Sequence, residues 1–210
     1  MNFDLSDDQT ELRKVARSVL EKRCPTTEVR RLETDPLGYA PELWAEMAEM
    51  GWVGMALPDG GGDLIDLAVI FEELGRAVCP TPLFSTVALG AMTLADAGHL
   101  PDGVALGDVL VGTALADVSD DALVASVNGS AARVSGTVRF AYDIDGADLL
   151  VVAAGPVVVL VDAHQPGVGA TPLAAISNDR LFELPPASVE GQVIANSSEL
   201  LPPAVARATA

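Results

Sequence analysis

Apolar residues recur at helical intervals from the start of the chain. Leu12, Val15, Ala16, Val19 and Leu20 share one helical face, and Ser6 followed by Gln9 has the pattern of a capping box. The spacing predicts a helix from about Ser6 to Arg23. Pro25 suits the first turn of a short second helix over 25–33. "APELWAEMAEMGW" predicts a third that stops at Gly51 and offers Leu43, Trp44, Met47 and Met50 for packing. "MALPDGGGD" then reads as a flexible loop. Asp63 is placed to cap a fourth helix, on which Leu67, Phe71, Leu74 and Val78 are expected to be buried, while Glu72 and Glu73 stay near solvent or pair with arginine. Pro80 and Pro82 break that pattern, and "LFSTVALGAMTLADAG" predicts a fifth helix ending at Gly98.

Near residue 108 the period changes. "DVLVGTALA", "ALVASV", "ARVSGTVRFA", "ADLLVVAA", "VVVLVD" and "GVGATPL" are short, rich in valine and separated by turn residues, which predicts antiparallel strands of a barrel or sandwich. Asn128-Gly129 is a favoured hairpin turn and Asp145-Gly146 a candidate second. Strands are expected through "RLFELP" to about Ile194, and "SSELLPPAVARATA" begins as a helix. The fold class is therefore α+β: a helical domain over 1–108, a β domain over 109–195, and a helical stub over 196–210.

Composition narrows the possible partners. Half the residues are apolar and 20% are charged, a globular balance. From residue 32 onward there are five arginines, no lysine and 24 acids, a net charge of −19. Such a surface repels phosphate backbones, so neither nucleic acid nor an anionic membrane is an expected partner. No apolar run approaches the roughly 18 to 20 residues of a membrane helix, and the N-terminal stretch lacks the features of a signal peptide, so a cytoplasmic protein is expected. Cys24 and Cys79 have no metal-knuckle spacing and are read as reduced thiols.

A search for chemistry finds few candidates. "PDGGGDL" lacks the GK[ST] of a phosphate loop, and "GVGATP" has no following helix and reads as a turn between strands. His99 and His164 are isolated, Ser85 and Ser135 lack nucleophile-elbow surroundings, and no metal cluster is predicted. From the residues alone, no acid, base or nucleophile is assigned.

Three segments add a resemblance. "FDLSDDQTELRKVARSVLEKRCP", "LWAEMAEMGWVGMALPDGGGDLIDLAVIFEELGRAVCPTPLFST" and "RVSGTVRFAYDIDGADLLVVAA", in that order, resemble the N-terminal and middle domains of the flavin-dependent acyl-CoA dehydrogenases. "PTPLFST" resembles divergent actinobacterial members, some of which act on sterol side chains. The resemblance implies α,β-dehydrogenation of an acyl-CoA, fatty or sterol-derived, with FAD accepting the hydride and a carboxylate taking the α proton. In the family that base comes from a C-terminal four-helix domain that also packs on the flavin and drives oligomerisation. The chain ends where that domain would begin, so the expectation is a part-site needing a C-terminal portion or a full-length partner, in a homo- or hetero-oligomer. The alternatives are a non-catalytic scaffold subunit of a heteromeric dehydrogenase and an inactive truncated product.

The same resemblance places the flavin-facing residues. Leu115, Ala116 and Asp117 stand where the family has an Ala-Leu-Thr-Glu-Pro-like segment, with Ala116 in the place of the threonine hydroxyl. Phe140, Ala141 and Tyr142 stand where it has a Trp-Ile-Thr-like segment, so an aromatic is kept while the hydroxyl moves to a larger ring. The resemblance assigns no catalytic residue to this chain, and neither Glu72 nor Glu73 fills the role of the base.

Overall fold

A computed structural model of the chain describes residues 4–115, 123–175 and 180–208. Its backbone divides into two compact units, Met1–Thr81 with Ala105–Gly107, and Pro82–Val104 with Asp108–Ala210.

The first unit is helical: α1 (Asp7–Arg23), α2 (Thr26–Leu32), α3 (Pro41–Glu49) and α4 (Leu64–Ala77). The capping box forms in full. The Ser6 hydroxyl accepts from the Gln9 N–H, and the Gln9 side chain accepts from the Ser6 N–H, each at 3.1 Å. Asp63 and Asp66 do the same at the start of α4, and Gln9 Nε2 donates to Asp66 Oδ1 at 3.1 Å, so the two caps are joined. Leu43, Trp44 and Met47 are buried as the spacing of α3 predicts, and the Trp44 indole donates to Gly107 O at 2.9 Å.

The buried face of α4 differs from the predicted one. It is built on Leu67, Ile70 and Leu74, with Val69 and Glu73 beside them, whereas Phe71 is half-buried and Val78 is 68% exposed. The cause is the helix end: Val78 is the C-cap in the left-handed region, φ 51°, which turns its side chain outward. On α1, Ala16 and Leu20 are buried and Val15 is exposed, so its apolar stripe is narrower than its sequence. The glycine-rich loop is folded back on itself, with Gly60 N–H donating to Leu57 O and Gly62 N–H to Met55 O.

In the second unit a π-helix (Phe84–Ala91) runs into α5 (Met92–Asp96), followed by the single turn α6 (Asp102–Ala105). The strands are β1 (Val111–Ala114), β2 (Val124–Asn128), β3 (Ala131–Tyr142), β4 (Leu149–Ala154), β5 (Val157–Asp162), β6 (Thr171–Pro172) and β7 (Leu181–Asn196), with α7 (Ser197–Ala208) after them. β3 bonds to both β1 and β7, so the strands β3-β1-β4-β5-β7 close on themselves into a barrel, with β2 added to β3 and β6 to β7. Alternate residues of these strands, among them Val134, Val138, Leu150, Val152, Val159, Val161, Phe182 and Leu184, fill the interior.

One pairing differs from the expected antiparallel strands. β1 and β4 run parallel, from Val111 opposite Leu149 to Ala114 opposite Val152. The intervening β2–β3 hairpin supplies the long crossover that a parallel pair requires. Asp145-Gly146 therefore joins β3 to β4, which lie on opposite sides of β1, and is not a hairpin turn. The β2–β3 hairpin itself forms one residue later than predicted. Asn128 pairs with Ala131, and Gly129, with φ 63°, takes the first loop position, which needs a residue free of a Cβ.

Candidate cofactor-facing site

The end of β1 and the end of β3 are neighbours, with Thr113 opposite Tyr142 across an antiparallel pair. Leu115, which follows β1, and Phe140–Tyr142 at the end of β3 are thus brought to one end of the barrel. Ala116 and Asp117 lie outside the described residues. Leu115 is buried, and Ala141 is fully buried in the barrel interior.

Phe140 is different. The β3–β7 register shifts between Val138 and Ala141, and Phe140 sits in that bulge with φ 61° and 59% of its surface exposed. Without the bulge, strand alternation from Val134 and Val138 would send residue 140 inward. The extra residue sends Ala141 in and Phe140 out. A left-handed backbone at an aromatic residue is costly, and such strain is most often kept where it presents a side chain.

Tyr142 is already engaged. Its ring meets Phe84 of the π-helix edge-on, at 5.7 Å and 72°. Beside it, Asp143, also left-handed at φ 49°, accepts from the Ser85 hydroxyl at 2.5 Å and faces Arg180 Nε at 3.4 Å. Arg180 Nη2 donates to both oxygens of Asp145 at 2.6 Å, and the guanidinium lies 5.5 Å from the centre of the Phe182 ring. This polar chain from the π-helix through Asp143 to Arg180 was not legible in the sequence, where Ser85 stood alone and Arg180 carried no pattern.

The π-helix grips the start of β1. The Thr86 hydroxyl accepts from Val111 N–H at 3.2 Å and donates to Val111 O at 3.4 Å. A Cβ on Gly90 would fall 2.5 Å from Val111 Cγ1, so only glycine allows this approach. Thr113, one strand position from the site, is buried with its hydroxyl unpartnered.

The remaining candidates are dispersed. His164 Nε2 lies 3.2 Å from Asp148 Oδ1 at an exposed position. Glu72 pairs with Arg13 at 2.7 Å. Glu73 is buried between Arg17, at 2.6 Å, and Arg76, at 2.7 Å. The Arg17 hydrogen bonds, with the one from Arg76 behind them, outweigh desolvation and hold the Glu73 carboxyl down at about 2. A carboxylate held ionised in this way is a poor proton acceptor. Among the described residues, no helix is long and apolar enough to cross a membrane.

Helices followed by a closed barrel, with an aromatic displayed at the barrel end, define a class: residues 6–99 match the N-terminal domain of acyl-CoA dehydrogenases. The helical part of the chain is thus an acyl-CoA dehydrogenase N-terminal domain. The chain is 33% identical over 117 residues to the acyl-CoA dehydrogenase IpdE2 of Mycolicibacterium smegmatis, covering 50% of this chain and 37% of that one. Its fold matches the Tcur3481-Tcur3483 steroid acyl-CoA dehydrogenase (G363A variant) with a TM-score of 0.84 and 30% identity, over 96% of this chain and 60% of that one. The ChsE4-ChsE5 complex of Mycobacterium tuberculosis shares the fold with a TM-score of 0.86 at 22% identity, over 99% of this chain and 61% of that one. The chain thus spans little more than a third of the curated relative and about three fifths of the solved ones.

Proposed function

We propose that this chain supplies the helical and barrel portion of an acyl-CoA dehydrogenase, contributing one wall of an FAD and acyl-CoA site for α,β-dehydrogenation of a fatty or sterol-derived acyl thioester. The observation that carries this reading is Phe140, an exposed aromatic on a strained bulge at the position where the family resemblance expects a flavin-facing ring. FAD bound against Phe140 would supply the acceptor for the β-carbon hydride. Of the described residues at the site, Phe140 fits a flat heteroaromatic partner. Leu115 and Ala141 are buried, and the Tyr142 ring is held by Phe84. The fit is therefore to one edge of a flavin, and the rest of its binding energy falls to a C-terminal domain or a fuller family member. Among the described residues, Glu72 and Glu73 are committed to arginines, and neither fills the role of the α-proton base.

A second reading, a non-catalytic scaffold subunit of a heteromeric dehydrogenase, is favoured by Tyr142. The ring in the place of the family's hydroxyl is packed into the protein rather than offered to a cofactor. Co-expression with a full-length family subunit separates the two. The isolated chain is expected to be colourless and inactive on acyl-CoA, and the co-purified pair yellow. In the pair, Phe140→Gly should weaken flavin retention about tenfold through lost aromatic contact, while leaving the thermal stability of the isolated chain unchanged or slightly raised as backbone strain is relieved. Flavin retention and turnover unaffected by that substitution would favour the scaffold. Stoichiometric flavin on the isolated chain would overturn the division of labour.

A further inference from the structure

Cys24 and Cys79 are the only cysteines of the chain, and nothing in their spacing pairs them. The first unit nonetheless brings them together. α1 and α4 are packed against each other and run in the same direction, joined by a ladder of cross-links: Gln9 to Asp66, Arg13 to Glu72, Arg17 to Glu73, and Glu21 to Arg76. The next step of that ladder is Cys24 with Cys79. Cys24 caps α1, its N–H donating to Leu20 O at 2.8 Å, and Cys79 closes α4, its N–H donating to Leu74 O at 2.9 Å. Between α4 and Cys79 stands Val78, a β-branched residue in the left-handed region, whose backbone sends its own side chain to solvent and the next one inward. Both cysteines are free and buried, 4% and 8% exposed.

We propose that Cys24 and Cys79 form a redox-active thiol pair that closes to an intramolecular disulfide under hydrogen peroxide, locking the C-terminal ends of α1 and α4 together. The Cys79 thiol donates to Pro80 O at 4.0 Å. The interaction between the two neighbouring thiols draws Cys24 below its ordinary value and, with burial, pushes Cys79 up, which makes Cys24 the attacking sulfur. The Cys24 thiolate attacks one peroxide oxygen, the O–O bond breaks, and the departing hydroxide takes a proton to leave as water. Cys24 is then a sulfenic acid. The Cys79 sulfur attacks that sulfur, the S–O bond breaks, and the hydroxide released takes the Cys79 proton. Two thiols lose two electrons and two protons, and one peroxide becomes two waters.

The test uses the full chain, reduced and then treated with hydrogen peroxide, followed by alkylation in denaturant and non-reducing peptide mapping. The expected result is one monomeric product lacking two hydrogens, resistant to alkylation, with the Cys24 and Cys79 peptides cross-linked. Its melting temperature should rise by roughly 5 to 10 °C and return on reduction. Cys24→Ser and Cys79→Ser should each abolish both changes. Two thiols still open to alkylation, two separately oxidised sulfurs, or a cross-link formed only between chains would overturn the proposal.

Discussion

Glu72 and Glu73 are adjacent on α4, yet their surroundings give them different energetic roles. Glu72 points to solvent, its side chain 64% exposed, and its pairing with Arg13 is screened by water. Glu73 is buried and accepts from two arginines, so replacing one carboxylate oxygen by an amide nitrogen removes the shared charge and leaves guanidinium donors facing another donor. Glu73→Gln should therefore destabilise the chain by about 2 to 3 kcal/mol at neutral pH, and Glu72→Gln by less than about 0.5 kcal/mol, as read from urea melts. The pH dependence follows from the direction of the shift. The folded state holds the Glu73 carboxyl down at about 2, below the unfolded value, so its stabilisation is complete above the ordinary carboxylate range and fades as pH falls toward 2. The Gln variant should lose less stability than the parent across that acid window, and an equal loss in both would show that other carboxylates carry the acid limb.

At the scale of elements, the π-helix is where local chemistry and packing meet. Ser85 and Thr86 both bond back to Pro82 O, the hydroxyl at 3.1 Å and the N–H at 2.8 Å, just after the prolines that end the preceding segment. Every position from Ser85 to Ala91 is buried. Gly90→Ala would drive a methyl into Val111 and the Ser85 carbonyl, so a destabilisation of about 1 to 3 kcal/mol is expected, partly relieved by adding Val111→Ala. Additive losses in the double variant would show that the carbonyl contact dominates. These elements also mark what a sequence discloses. Capping boxes, helix ends and strand periods are local, and they put Ser6, Asp63 and Gly51 at the helix ends where the structure has them. A π-helix has the same apolar pattern as an α-helix, the parallel β1–β4 pairing depends on residues far apart, and the bulge at Phe140 shows itself only once β7 fixes the register. At the site, resemblance picked out Phe140 and Tyr142, while the Ser85-Asp143-Arg180 chain depends on tertiary placement and left no pattern to read.

At the scale of the whole molecule, the packing assigns residues 82–104 to the strands although their pattern is helical. The reason lies on the outer face of the barrel. On β4, Leu150, Val152 and Ala154 point into the interior, so Val151 points out, and on β5 Val158 does the same; both are fully buried, as are Val111 and Thr113 on β1. The π-helix packs on β1, and α7, anchored by buried Leu200, packs on the π-helix, α5 and β5. Stripping the π-helix and α5 from this face would expose several of these side chains. At about 1.5 to 3 kcal/mol for each one lost, that is comparable with the whole stability of a domain. A chain of residues 82–210 should therefore unfold cooperatively in urea and show native near-ultraviolet circular dichroism, whereas residues 108–210 should bind a hydrophobic dye and melt without cooperativity. A cooperative transition in the shorter fragment would mean that the barrel interior alone suffices, and that the π-helix is an attachment to the sheet rather than part of its core.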